Sequence, residues 1–389
     1  MKNFFKKINR IFQDYMREKR LKIGKAIWDK KEKTNIIKGN NFIEDNNIKS
    51  ILFLRYDGKI GDMIVNSLMF REIKKVYPDI KIGLIARGAA IDIIKDNPNV
   101  DEIYEYHKDR KKIKELALKI REENYDLLID FSEMLRVNQM MLINLCGARI
   151  NIGIEKENWK LFDISLNIRD FNQHISELYI KILKFLGIKN INSSYDIFSS
   201  NYLLKDLDLE NKKYCIFNPY AASKHRSFSN ENIEKISKII LEKNYESLIL
   251  IGSEDKIKEL KKLDISKENK VKIVETKGMS EVAELIKGAD LVVSPDTSIV
   301  HLGKAFDKKM ICIYRKELGK EDKNSILWGP NSEKAKIIFV EEKTKDGEEI
   351  NINNLNLDEF KKEIGKIKMA GSIKNPAIFL INLKIEVIF

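Results

Sequence analysis

The sequence predicts an α/β protein built from two similar halves, each a parallel sheet covered by helices. Three observations predict it. From residue 50 onward, short apolar, β-branched runs alternate with stretches of helical periodicity. The alternation stops in a polar stretch near residue 190 and then restarts. The strand-like runs are apolar almost throughout, as strands are when helices cover both faces of their sheet. At 389 residues the chain fits two domains, each large enough to bury its own core.

In the first half ILFLRY (51–56), KIGLIA (81–86), VDEIYEY (100–106), YDLLIDF (125–131) and ARINIGI (148–154) read as strands. The segments 61–76, 88–96, 111–123 and 136–146 read as helices between them. A helix over 173–187 ends at Gly187, and the polar KNINSSYD stretch beyond it marks the domain boundary. In the second half strands are expected at 214–218, 246–252, 271–276, around 291, and at 310–314. Helices at 229–243, 254–263, 280–287 and 297–306 separate them, and 355–367 reads as a closing helix. The apolar tail AIFLINLKIEVIF (377–389) fits neither half, and with Lys384 and Glu386 it is too short and too charged to span a bilayer. The expected division is a leader and linker at 1–48, an N-terminal domain at 49–190 and a linker at 191–211. A C-terminal domain at 212–354 and a closing helix with the tail at 355–389 complete it.

Composition narrows the class. With 43% apolar and 33% charged residues the chain reads as an ordinary soluble protein. No 18-residue uncharged apolar stretch is present, and no apolar run suited to a signal peptide follows the basic N-terminus. Cys146, Cys215 and Cys312 stand singly inside apolar runs, which suits buried thiols in a reducing compartment. The net charge of +12 is unevenly spread: residues 1–39 hold thirteen Lys or Arg and four acids, so the remaining 350 residues carry only +3.

Within that leader Phe4, Phe5, Ile8, Ile11, Phe12, Tyr15 and Met16 recur at spacings of three and four, an apolar stripe on an otherwise basic helix. Such a helix suits an anionic membrane surface. Packing on the protein's own body and a nucleic-acid arm are the alternatives. A nucleic-acid protein would interleave basic and aromatic residues over its folded surface, and the near-neutral body argues against that.

Candidate chemistry gathers at strand ends, where open α/β sheets bind ligands. The first strand runs into DGKIGD, with Asp62 at the start of a helix. It reads equally as a helix cap or as a carboxylate placed for general-base work. GKIG is neither a dinucleotide fingerprint nor a P-loop. In the second half a strand ends in Pro295-Asp296, and Thr297, Ser298 and Ile299 offer the first amides of the next helix. That terminus can hold a phosphate, with His301 one turn on as a further donor; a capped helix with a core histidine is the plain alternative. The loop Asn218–Ser229 carries Lys224 and Arg226, suited to a diphosphate, or to a merely solvated surface. Glu254, after the next strand, can accept ribose hydroxyls or cap its helix.

Four segments in order resemble glycosyltransferase family 9, the ADP-heptose:lipopolysaccharide heptosyltransferases. They are ILFLRYDGKIGDMIVNSLMFREIKKVYPDIKIGLIA, DNPNVD (96–101), FNPYAASKHRSFS and GMSEVAELIKGADLVVSPDTSIVHLGKAF. The resemblance covers roughly 50–315 and implies a GT-B fold, two Rossmann-like domains facing a central cleft. It implies a nucleotide-sugar donor, expected to be ADP-heptose, in the C-terminal half, and a lipopolysaccharide core acceptor in the N-terminal half. By position Asp62 matches the family's base, Arg226 a residue near the donor's phosphate and sugar, and Glu254 the acid on the donor ribose. Asp296, Thr297, Ser298 and His301 match its donor loop. Leu68, Tyr220 and Ser298 depart from the family's pattern, the last two in the expected donor site. No Asp-x-Asp stands at a strand end there, so neither a metal nor a cofactor is expected.

The expected activity is an inverting, metal-independent glycosyl transfer at the inner face of the inner membrane. A relative using another nucleotide sugar for a different surface glycan, an inactive scaffold, and a basic membrane- or nucleic-acid-binding protein without catalysis are the rival readings.

Overall fold

Both sheets are six-stranded, and every strand in them runs parallel to its neighbours. The computed structural model describes residues 2–200, 202–316, 323–341 and 350–367, and the apolar tail 377–389 lies outside them. The N-terminal sheet comprises β1 (Ser50–Leu54), β2 (Lys81–Ala86), β3 (Glu102–Glu105), β4 (Leu127–Asp130), β5 (Ile150–Ile154) and β6 (Ile164–Leu166), in the order β3-β2-β1-β4-β5-β6. Helices α1 (Lys2–Trp28) and α2 (Phe42–Asp45) precede it. Next come α3 (Ile60–Val76), α4 (Ala89–Asp92), α5 (Arg110–Glu122) and α6 (Val137–Cys146), with α7 (Ile175–Phe185) closing the domain.

The C-terminal sheet is β7 (Tyr214–Phe217), β8 (Ser247–Gly252), β9 (Val271–Glu275), β10 (Leu291–Pro295), β11 (Lys309–Arg315) and β12 (Ala335–Val340), ordered β12-β11-β10-β7-β8-β9. Its helices are α8 (Tyr202–Asp206), α9 (Asn230–Leu241), α10 (Glu254–Leu260), α11 (Met279–Gly288), α12 (Ser298–Ala305), α13 (Asn324–Leu327) and α14 (Leu357–Lys366). Both sheets thus share one winding. Strand order reverses between β1 and β4 in the first and between β7 and β10 in the second, the points at which open sheets of this kind bind ligands beyond their carboxyl ends.

The continuous apolar runs arise because both sheet faces are covered. Ile51, Phe53, Leu84 and Ile129 face one cluster with α3 and α7, while Leu52, Leu54, Ile85 and Leu128 face another with α5 and α6. All three cysteines are buried and unpaired. Two strands went unread: β6 has only three residues, and in β12 exposed positions interrupt the apolar pattern. The helix expected over 88–96 keeps one helical turn. The DNPNVD segment beyond it is a tie: Asn97 Nδ2 donates to Asp196 O at 2.7 Å, holding the interdomain linker to the end of this segment.

The domains also touch directly. Helix α3 packs on α12 and α4 on α11, and one apolar cluster runs through both domains. Across this seam Asp92 accepts the Ser280 N–H at 2.9 Å, capping α11 from the opposite domain.

The leader divides into two parts. From Leu21 onward it packs on the body beside α6. Gly24 lies against Val137 and Met140, Asn144 Nδ2 donates to Trp28 O at 3.1 Å, the Leu161 N–H donates to buried Asp29, and Lys31 pairs with Asp163 at 3.1 Å. These contacts descend from the cleft end of the N-terminal domain to its base, so α1 runs parallel to α6. Residues ahead of Leu21 therefore extend beyond the cleft end. There Ile11, Phe12 and Tyr15 are 62%, 59% and 51% exposed.

Candidate active site

On the N-terminal side, the site starts where β1 gives way to α3. Gly58 turns the chain with φ +72°, in the left-handed region that favours glycine. Lys59 occupies the cap position without a side-chain cap, and Asp62 stands within the first turn as the third helical residue, so the helix-cap reading of Asp62 fails. Its carboxylate instead meets Arg55: Nη2 lies 2.7 Å from Oδ1. Arg55 is 4% exposed, with Nη1 donating to Tyr179 Oη at 3.4 Å and its guanidinium 5.5 Å from the Phe131 ring centroid. Burial raises the Asp62 carboxyl above its ordinary range, and Arg55 opposes that rise.

On the C-terminal side, Arg226 Nη1 pairs with Asp296 Oδ2 at 3.1 Å, and Asn324 Nδ2 donates to the same oxygen at 2.7 Å. Burial lifts the Asp296 carboxyl above its usual range against the pull of Arg226. Thr297, not Asp296, caps α12 by accepting the Ile299 N–H through Oγ1. That contact corrects the expectation of three free amides, since Ile299 is already engaged and Thr297 and Ser298 remain. Ser294 Oγ, 3.0 Å from Thr297 Oγ1, and Asn218 Nδ2 fix the threonine in turn.

Three candidates stand differently from expectation. Lys224 is exposed at the start of a short 3-10 turn, Lys224–Arg226. Glu254 shares the same rim, but its side chain points to solvent and pairs with Lys258 at 2.8 Å. His301 is 4% exposed and lies in the domain seam near His174, Tyr195 and Trp328. Burial lowers its pKa to about 3 and that of His174 to about 4, so both rings are neutral at physiological pH. His301 Nδ1 has no hydrogen-bond partner among the described residues.

Gly61 joins the two sides. A Cβ there would sit 2.8 Å from His301 Cδ2 and 3.9 Å from Ser298 Cα, so the residue before Asp62 abuts the first turn of α12. The N-termini of α3 and α12 converge on one crevice, with a desolvated carboxylate on one side and an arginine and free amides on the other. This arrangement suits acid–base chemistry beside an anionic leaving group. Among the described residues no group of three or more His, Cys, Asp or Glu could hold a metal.

The family model for glycosyltransferase family 9 (heptosyltransferase) matches residues 113–355, more than half of the chain. The protein belongs to glycosyltransferase family 9. It is 24% identical over 66% of its length to lipopolysaccharide heptosyltransferase 1 of Campylobacter coli, covering 81% of that protein. Against a putative lipopolysaccharide heptosyltransferase 4 of Escherichia coli the figures are 25% identity, 76% of this chain and 83% of the relative. A family 9 structure from Veillonella parvula superposes with TM-score 0.68 at 16% identity, over 85% of this chain and 98% of the other. An E. coli heptosyltransferase bound to ADP superposes at 0.64 and 16% identity, over 81% and 99%.

This glycosyltransferase therefore has the GT-B arrangement of its structural neighbours. Arg226 and Asp296 lie inside the matched segment, whereas Asp62 and Arg55 precede it. Arg55, Tyr179 and Asn324 went unread from the sequence, and Asn218 reads there only as the start of the basic loop. Arg55 alone left a signal there, as a charged residue ending an otherwise apolar strand at the sheet's reversal point. The others meet the site only through folding.

Proposed function

We propose that this glycosyltransferase moves a heptose from ADP-heptose to the lipid A–Kdo core of lipopolysaccharide, with inversion at the anomeric carbon. The observation that carries this reading is the close approach at Gly61, which brings the Asp62 carboxylate beside the first turn of α12. The names of the relatives supply the substrate class, together with an E. coli structure described as holding ADP-2-deoxy-2-fluoro heptose.

In the proposed reaction an acceptor hydroxyl attacks the anomeric carbon as the bond to the diphosphate oxygen breaks. The hydroxyl proton passes to Asp62, whose Oδ1 is occupied by Arg55, leaving Oδ2 to receive it. The electron pair of the broken bond stays on ADP. Arg226, with Lys224 and the amides of Thr297 and Ser298, faces that growing charge. Asp296, braced by Arg226 and Asn324, keeps a second oxygen for the donor sugar's hydroxyls. His301 closes the seam beside the donor, and Glu254 reaches the ribose only by leaving its pair with Lys258.

The leader favours the inner membrane face as the place of action. Its docked half directs the exposed Ile11, Phe12 and Tyr15 past the cleft end, where an amphiphilic, anionic acceptor arrives.

The test is a donor panel. Purified protein, heptose-less lipopolysaccharide and a set of nucleotide sugars are incubated, and acceptor mass is followed. A heptose increment with ADP-heptose is expected, and its loss in Asp62→Asn with ADP binding retained. An increment with another sugar only would overturn the donor, and full turnover in Asp62→Asn would overturn the base.

A further inference from the structure

Arg55 has an unusual position for an arginine. It follows β1 directly, its backbone N–H continues the sheet by donating to Ile85 O at 2.8 Å, and its side chain is almost wholly removed from solvent. A buried guanidinium is costly unless partners hold it. Its partners are Asp62 at 2.7 Å, Asp57 at 3.8 Å, the Tyr179 hydroxyl and the Phe131 ring. Phe131 and Tyr179 also belong to the core beneath α7, whereas the two carboxylates do not. Three elements, β4 through Phe131, α7 through Tyr179 and α3 through Asp62, converge to keep one charged group against one carboxylate.

We propose that Arg55 is a positioning residue for the transfer: it pins one oxygen of Asp62 and keeps that carboxylate ionised to take the acceptor proton. The inference rests on the reading of Asp62 as the base. Its physical content is a balance. Desolvation at the seam favours the protonated carboxyl, and a base that is already protonated accepts nothing. The guanidinium opposes this with a full charge at contact distance, Nη2 lying 2.7 Å from Oδ1, and Oδ2 has no partner among the described residues.

The surrounding charges leave this task to Arg55. Lys59 and Asp57 are exposed on the preceding loop and of opposite sign. From α7 comes the neutral Tyr179 hydroxyl, and from α12 the neutral His301 ring. Asp92 on α4 is engaged by Lys95 and Ser280. Arg55 is thus the buried cation beside Asp62 among the described residues.

The experiment measures the pH profile of kcat/KM for the wild type, Arg55→Met, Arg55→Lys and Tyr179→Phe, with ADP binding as the control for folding. Activity requires ionised Asp62, so it falls as pH drops through the carboxyl's pKa. Removing the cation raises that pKa and moves the acidic limb to higher pH, by about one to three units. Arg55→Met is expected to lose at least about tenfold in rate at a pH on the limb and to regain much of it in alkali. Arg55→Lys keeps its limb near the wild type but at a lower plateau. Tyr179→Phe, which removes one oxygen, shifts the limb the same way by less and covers the case where Arg55→Met does not fold.

Titration of the Asp62 carboxyl by ¹³C NMR in ¹³C-Asp-labelled protein, assigned with Asp62→Asn, gives the same answer without turnover. A limb and an NMR midpoint that do not move in Arg55→Met, or in Tyr179→Phe where Arg55→Met does not fold, overturn the proposal. Full activity in Asp62→Asn overturns the base reading instead, and the NMR midpoint still reports on Arg55.

Discussion

At the scale of single residues, the site is a set of desolvated carboxylates tuned by the charges beside them. Asp62 and Asp296 are both pushed toward the neutral form by burial, and an arginine pulls each back most strongly, Arg55 the first and Arg226 the second. The two pairs differ in access. Arg55 is enclosed, whereas the Arg226 side chain keeps 32% of its surface exposed and can turn further donors to a ligand. Arg226→Met is therefore expected to weaken ADP binding about tenfold to a hundredfold by calorimetry, the scale of hydrogen bonds to a charged group. Arg226→Lys should recover part of that loss, keeping the charge but not the bidentate fork. An unchanged Kd in Arg226→Met would remove it from the donor site. Tyr220 lies against Gly252, with Lys256 Nζ 5.0 Å from its ring centroid.

At the scale of elements, the decisive feature is the meeting of α3 with α12. Two helix N-termini approach closely in a crevice because Gly61 has no side chain. The glycine is there for space and not for a left-handed turn, since its φ is not positive. Gly61→Val should wedge the seam against His301 and displace Asp62 from the donor loop. The expected result is a loss of about a hundredfold in transfer rate, as misplacement by an ångström can cause, with ADP affinity changed far less. Transfer at the wild-type rate would show that the approach at Gly61 does not set the distance from base to donor. The secondary structure around it was legible beforehand: β2 and α3 stand within a residue of the expected bounds, because buried parallel strands are short apolar runs that end at turn signals. The partners of Thr297 and Asp62 were not legible, because capping and ion pairing are decided by angles that spacing does not encode.

At the scale of the whole molecule, a near-neutral two-domain body carries a basic helical arm whose charge accounts for most of the +12. The helix has two apolar faces. One, with Leu21 and Trp28, is spent on the N-terminal domain, and the other, with Ile11, Phe12 and Tyr15, faces solvent. No helix of the described residues is long and apolar enough to cross a membrane. Ile11→Ser, Phe12→Ser and Tyr15→Ser together should reduce sedimentation with phosphatidylglycerol vesicles by an order of magnitude or more, leaving ADP affinity unchanged. Added salt should reduce the wild type's binding too, through its lysines and arginines. Vesicle binding equal to the wild type in the triple variant would overturn the membrane role of this face.

By itself the sequence determined the two-fold α/β alternation, the family, the basic leader and the strand ends at which chemistry gathers. These follow from periodicity and turn chemistry, which are properties of neighbours along the chain. Only the tertiary structure decided that Asp62 answers to Arg55 and Tyr179, that Thr297 uses up the Ile299 amide, that Glu254 faces outward, and that half the leader is already docked. Tyr179 and the docked leader are brought in across more than a hundred residues by the winding of the sheets, whereas the Asp62, Thr297 and Glu254 contacts are local in sequence and are decided by side-chain direction. Whether a charge is a base, a cap or a surface ornament depends on what that winding sets beside it and how much water it removes.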